Sequence, residues 1–205
     1  MGGRKQRSAI DAVMCLTHDI QLANNNNKVL SALLLDVKGA FDHVSLNQLL
    51  KVMKKLHLPQ TVLRWVQCFL TDRRITLAFD GERNQSERVN SGIPQGSPIS
   101  PILFLIYIRY LFVKINKNHL HLNLSLKLPS YIDDVAITVE GKTAEENSQI
   151  LMEITKTTFQ WADENAVTFD DSKSELIHFQ KGNSAATATV TLSNNTIIQS
   201  SETVH

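Results

Sequence analysis

Residues 29–35 read Val-Leu-Ser-Ala-Leu-Leu-Leu and stop at Asp36. The run is strand-length and shows no polar alternation, so it predicts a β-strand covered on both faces. Such a strand needs neighbours in a sheet and packed layers around it, which restricts the chain to a mixed architecture. A charged residue directly at its end is the first sign of chemistry, because burying a carboxylate without a partner is costly.

Around this strand the pattern is helical and strand-like in turn. Ser8-Ala9-Ile10-Asp11 forms a capping box, and the helix behind it is expected to bury Ile10, Val13, Met14, Leu16 and Ile20 before the Asn24 to Asn27 run. Ser45 with Gln48 opens a second helix with Leu46, Leu49, Leu50, Met53 and Leu56 at helical spacing. Pro59 fits the first turn of a third, running to about Leu70. Segments 74–79 and 86–90 flank Asp80-Gly81, a hairpin signal with a long loop. A Gly/Pro-rich loop, residues 92–98, leads into an apolar helix from Ile99. Strands are expected over 127–132 and 135–139, meeting at Asp133-Asp134. Thr143 to Glu146 is another capping box, whose helix points Ile150, Leu151, Ile154, Phe159 and Trp161 inward. A last strand covers 174–179, and beyond Lys181 a Ser/Thr/Asn-rich tail alternates weakly. The class is α+β: a small antiparallel sheet backed by helices on one side.

Composition narrows the field. The chain has 205 residues, 42% hydrophobic and 20% charged, which suits a folded domain rather than a disordered one. A net charge of +1 argues mildly against a free-standing nucleic-acid binder, although basic residues gather in the first half and acidic ones in the second. Cys15 and Cys68 form no CxxC pair, so a cysteine zinc site is unsupported and two free buried thiols are expected. The basic N-terminus has no apolar run behind it, and residues 99–113 are too short to span a bilayer and include Arg109. An intracellular protein without a membrane segment is the expectation, with nucleus, cytoplasm and mitochondrion undistinguished.

Asp133 and Asp134 sit between two apolar strands, as Asp36 sits at the end of one. Magnesium is a natural partner for such carboxylates, since it prefers oxygen ligands and takes one or two protein carboxylates per ion. Two ions about 3.5–4 Å apart stabilise the attacking and leaving oxygens of nucleotidyl transfer. Taken by itself an Asp-Asp pair is far more often an ordinary turn dipeptide. Its company is what points to chemistry: Asp36-Val37-Lys38-Gly39-Ala40-Phe41-Asp42, then Gly92 to Pro98, then Tyr131-Ile132-Asp133-Asp134.

On these residues the chain resembles the reverse transcriptase family, in particular the polymerases of non-LTR retrotransposons. Leu34 to Asp42 resembles the first palm motif, Ser91 to Pro101 the second, Tyr131 to Asp134 the third and Phe169 to Leu176 the fourth, with its lysine at Lys173. Gly2 to Ser8 resembles a basic element preceding the first. The resemblance implies a polymerase palm with partial fingers over residues 1–180, and a tail over 181–205 leading toward a primer grip and thumb. It places a fingers strand before Met1 and a thumb after His205, so the fold is expected to be truncated and the thumb absent.

The same resemblance assigns roles. Asp36 and Asp133 would hold two magnesium ions (manganese as an alternative), with Asp134 beside them and the Val37 carbonyl as a further ligand. Backbone amides of Lys38, Gly39 and Ala40 would meet the triphosphate. Gln95 and Gly96 would line the nucleotide pocket, with Tyr131 in the same nucleotide-binding set, and Lys173 would stand near the pyrophosphate as general acid. Phe41 would pack under the sugar and exclude a 2′-hydroxyl, favouring DNA synthesis over RNA synthesis. The implied partners are an RNA template, a DNA primer and deoxynucleoside triphosphates, with the missing segments or another chain needed for stability. Poor activity in isolation follows, because phosphate contacts dominate affinity. The competing readings are a non-catalytic nucleic-acid-binding relic, such as a maturase-like module, and a palm that makes RNA, which Phe41 and Tyr131 disfavour.

Overall fold

The computed structural model describes residues 8–89, 91–182 and 186–201, with the side chains of 123–125 left aside. The basic element at 2–7 lies outside the described residues. The chain divides into two units, residues 1–38 with 111–205, and residues 39–110.

The first unit is built on a four-stranded antiparallel sheet. Strand β1 (Val29–Val37) is central, paired with β7 (Asp134–Gly141) on one side and β8 (Phe169–Phe179) on the other; β6 (Leu126–Lys127) pairs with β7. The central position explains the apolar run: Leu30, Ala32, Leu33 and Leu35 are all buried. Helix α5 (Ala144–Glu164) packs on β1 and β7 and buries Leu151, Ile154 and Trp161, while Ile150 and Phe159 are half-buried. Half of its expected capping box forms: Thr143 Oγ1 accepts from the Glu146 amide at 3.1 Å, while the Glu146 carboxylate takes the Lys142 amide at 3.0 Å rather than that of Thr143.

Several expectations change. The Ser8–Asp11 capping box starts helix α1 (Ala9–Asn25) as predicted, yet Ile10, Val13 and Met14 are exposed and Ala23 is the buried residue. Helical spacing reports a shared face, and says nothing of what covers it. The strand expected over 127–132 shrinks to Leu126–Lys127, followed by an irregular stretch and an isolated Tyr131–Asp134 bridge; Pro129, which lacks an amide donor, lies inside it. The tail carries a small hairpin, β9 (Val190–Thr191) with β10 (Ile197–Ile198), and buries Val190, Leu192 and Ile198. Both cysteines are free, as expected, but exposed rather than buried.

A polar chain is among the contacts that tie the tail to the sheet. His178 Nε2 lies 3.0 Å from the Ala188 carbonyl, which can only accept, so Nε2 carries the proton. Nδ1 therefore accepts from Ser31 Oγ at 2.7 Å, and Ser31 Oγ accepts in turn from Asn147 Nδ2 at 2.9 Å. This is satisfied only with neutral imidazole. Burial holds His178 below the ordinary histidine range, against the opposing Ala188 hydrogen bond and Glu145. The folded value lies under the unfolded one of about 6.5, so this contribution to stability is complete above that pH and is lost as pH falls through the depressed value. Urea denaturation at pH 7.5, 6.5 and 5.5 is expected to show a falling midpoint, and His178→Gln to flatten that fall. An unchanged slope in the variant would refute the assignment.

The second unit contains α2 (Leu46–Lys55), α3 (Gln60–Leu70) and the N-terminal half of α4 (Ser100–Asn118). The α2 N-cap, Ser45, makes no side-chain capping bond, and Pro59 sits at the N-cap of α3. The predicted hairpin is two nested ladders. Strand β2 (Arg73–Ile75) pairs with β5 (Glu87–Val89), and β3 (Ala78–Phe79) with β4 (Glu82–Arg83), around a turn with Asp80 and Gly81 both at positive φ. That is the two-residue turn that matches strand twist. Among the described residues no helix is long and apolar enough to cross a membrane.

Candidate active site

In the first unit, antiparallel pairing sets three carboxylates in a row across the sheet. Asp36 on β1 is the register partner of Asp134 on β7 and of Asp170 on β8. Directly opposed residues on strands about 4.8 Å apart present their side chains to the same face. The row lies at the end of a face formed by Ala32, Leu34 and Asp36 with Thr138, Ala136 and Asp134 opposite them. These residues, with Tyr131, Lys173 and part of α1, line a cavity of about 700 Å³.

A large bulge brings the lysine in. Leu34 faces Glu175 and Asp36 faces Asp170, two steps along β1 against five along β8. The extra residues leave the ladder, and bulges of this kind re-aim side chains. Here Lys173 Nζ reaches Asp36 Oδ2 at 3.1 Å. That hydrogen bond, with the charges of Asp36 and Asp170, holds the ammonium firmly protonated. Asp170 is held below the usual carboxylate range, first by the Ser172 hydroxyl; desolvation opposes this, and the Ser172 amide and the lysines at 173 and 38 assist.

The third motif is a two-residue hairpin closed by paired Tyr131 and Asp134 backbone bonds of 3.0 Å. Its first central residue, Ile132, has φ 54°. A left-handed first position is what Gly normally fills in a type II′ turn, and a β-branched residue there is strained by about 1–3 kcal/mol. Ile132→Gly is expected to raise unfolding stability by roughly 1 kcal/mol after the entropic cost of the added glycine, measured by urea denaturation. A loss of stability would mean that packing of the isoleucine outweighs its strain.

The expected residues are therefore only partly gathered. Asp36, Asp134, Tyr131 and Lys173 share one cavity, while Asp133 occupies the turn and is not among the residues lining it. Asp134 is pushed above the usual carboxylate range, first by burial and then by the charges of Asp133 and Asp36. The three carboxylates feel one another, yet they do not draw within 4.8 Å as a group; among the described residues that closeness occurs in one other cluster. Val37 is buried and paired with Phe169. The Lys38 amide, expected to face a triphosphate, donates to the Thr168 carbonyl at 2.8 Å. Asp170 lies inside the fourth motif without an assigned role, and only its pairing with Asp36 brings it into the row.

In the second unit, Phe41, Gln95 and Gly96 line a separate cavity of about 510 Å³ with Ser97, Pro98, Ser100 and Pro101. Two backbone bonds hold the loops together, Ile93 N to Phe41 O at 2.7 Å and Gly92 N to Val44 O at 3.1 Å. Gly92 is required there: its φ is +75°, and an added Cβ would lie 2.7 Å from the Phe41 and Asp42 carbonyls. The Gln95 amide donates to the Asp42 carboxylate at 3.2 Å, and the Phe41 ring meets Phe104 edge-on.

Similar folds occur among solved telomerase structures. The apo telomerase of Candida tropicalis, truncated from its C-terminal domain, superposes with a TM-score of 0.66 at 14% identity, over 94% of this chain and 40% of that one. A second structure, telomerase from the same organism with a fragment of telomeric RNA, gives a TM-score of 0.55. At such identities the likeness concerns the fold. Residues 1–202 match the family model for reverse transcriptase (RNA-dependent DNA polymerase), and the chain belongs to that family. Curated relatives include a probable RNA-directed DNA polymerase from transposon BS of Drosophila melanogaster, 27% identical over 78% of this chain. Another is the RNA-directed DNA polymerase from mobile element jockey of the same organism, 26% identical over 77% of this chain. The chain spans 17% of the length of each.

Proposed function

We propose that this chain carries the nucleotide-addition centre of an RNA-directed DNA polymerase of the non-LTR retrotransposon type. The observation that carries the reading is the alignment of Asp36 with Asp134 across β1 and β7, with Asp133 in the adjoining turn and Lys173 on Asp36. The sheet-based unit is read as palm and residues 39–110 as part of the fingers.

The donor set fits hard divalent cations: carboxylates of Asp36, Asp133 and Asp134, with the Val37 carbonyl. Burial first, and then the charges of Asp133 and Asp36, raise Asp134; the charge part is what a bound cation would relieve. Held by these residues, magnesium ions would supply positive charge to the attacking and leaving oxygens of the displacement. Lys173, kept protonated beside Asp36, serves as proton donor to the departing pyrophosphate. Phe41, Gln95 and Gly96 receive the incoming nucleotide, and the Phe41 ring selects against a 2′-hydroxyl. RNA template, DNA primer and deoxynucleoside triphosphates are the partners of this reading; the telomerase likeness and the relatives' names support it.

Primer extension on an RNA template tests it. With a net charge of +1 the chain has little electrostatic hold on a duplex, so magnesium-dependent synthesis is expected to be short, distributive and sharply weakened by salt. Template binding without any incorporation, with magnesium or manganese, would favour the non-catalytic reading.

A further inference from the structure

A second cluster of metal-binding character lies away from the aspartates. His119 follows the last residue of α4, His121 lies in the 3₁₀ turn Leu120–Ser125, and Glu153 is on α5. One ligand atom from each lies within 4.8 Å of the other two. Two donors on a tetrahedral ion, each at about 2.1 Å, stand roughly 3.4 Å apart. The remaining closure is within reach, because His121 and Glu153 are exposed side chains free to rotate.

His119 is a different case: it is 8% exposed. Its Nε2 lies 3.2 Å from Thr157 Oγ1, one helical turn beyond Glu153 on the same face of α5. Its Nδ1 is buried and has no hydrogen-bond partner among the described residues. A buried polar atom left unsatisfied is costly, so something belongs there. In the tautomer that gives Nε2–H to Thr157 Oγ1, Nδ1 presents a lone pair rather than a proton. A ligating histidine is typically held this way, by an outer hydrogen bond that fixes tautomer and orientation.

We propose that His119, His121 and Glu153 form a binding site for a divalent transition cation of the zinc class, joining the end of α4 to α5. Two imidazoles and one carboxylate exclude magnesium and calcium by softness and leave a fourth position for water. Nothing in this site depends on the polymerase reading, and its residues take no part in the aspartate centre.

The test uses the full chain, prepared without a histidine tag and stripped with a chelator. Calorimetric titration with zinc at pH 7.5, in millimolar magnesium, is expected to give one zinc per chain and a higher melting temperature. Cobalt substitution is expected to give the visible absorption of a low-coordinate site. His121→Ala and Glu153→Gln, both at exposed positions, should weaken zinc by about 100-fold or more and abolish the added thermal stability. His18→Ala, an exposed histidine elsewhere, should change neither. Absence of zinc binding, or binding within twofold of the parent in both cluster variants, would overturn the proposal.

Discussion

Asp36→Asn is expected to cut nucleotide incorporation by roughly 10²–10³-fold, the usual scale for removing one electrostatic element of a reaction centre, while leaving template binding intact. Asp36 is the middle member of the carboxylate row, with partners on both flanking strands, so its charge acts on the whole centre. It also anchors Lys173. The variant should therefore release the lysine and lower its basicity, since the Asp36 hydrogen bond is the main cause of its elevation. Stability should change little: Asp36 is partly exposed, and its ion pair joins it to a largely exposed amine, where solvent screens the attraction. Single-nucleotide incorporation and filter binding, measured side by side, separate the readings. Unaltered incorporation in the variant would remove Asp36 from the chemistry. Asp133→Asn and Asp134→Asn extend the comparison, because the two differ in placement, one in the turn and one in the cavity wall.

Much of this was legible in the chain. An apolar run of strand length ending in aspartate pointed to a central strand with a charged end, and the N-caps at Ser8 and Thr143 start helices where they stand. These signals are local, set by side chains acting on their own backbone. What escaped detection depends on distant partners. The bulge in β8 is defined only against β1, so the sequence around Asp171 to Ser174 could not announce that Lys173 would meet Asp36. The exposure of Ile10, Val13 and Met14 depends on what packs over α1, which periodicity does not encode. The tail hairpin is equally silent, because its burial rests on a sheet edge formed by residues far earlier in the chain. His119 and Glu153 lie 34 positions apart, and no motif spacing joins them.

Asn147→Ala should be among the more destabilising changes outside the apolar core, at roughly 3 kcal/mol. Asn147 is fully buried on α5 and its amide donates to the Val29 carbonyl and to Ser31 Oγ, both at 2.9 Å. It therefore ties the helix to the start of the central strand, and Ser31 carries the connection on to His178 and the tail. Truncation removes two hydrogen bonds and strands buried acceptors, each at about 1–3 kcal/mol. For a chain of this size the melting temperature should fall by about 6–12 °C. Gly141 belongs to the same arrangement: a Cβ there would stand 2.1 Å from Asn147 Oδ1. Gly141→Ala alone should thus be destabilising, and in the Asn147→Ala background it should cost much less, since the atom it strikes is gone. Thermal melts of the two single variants and the double variant measure that coupling. Strict additivity, or an Asn147→Ala variant as stable as the parent, would mean that α5 is held to β1 by apolar packing alone.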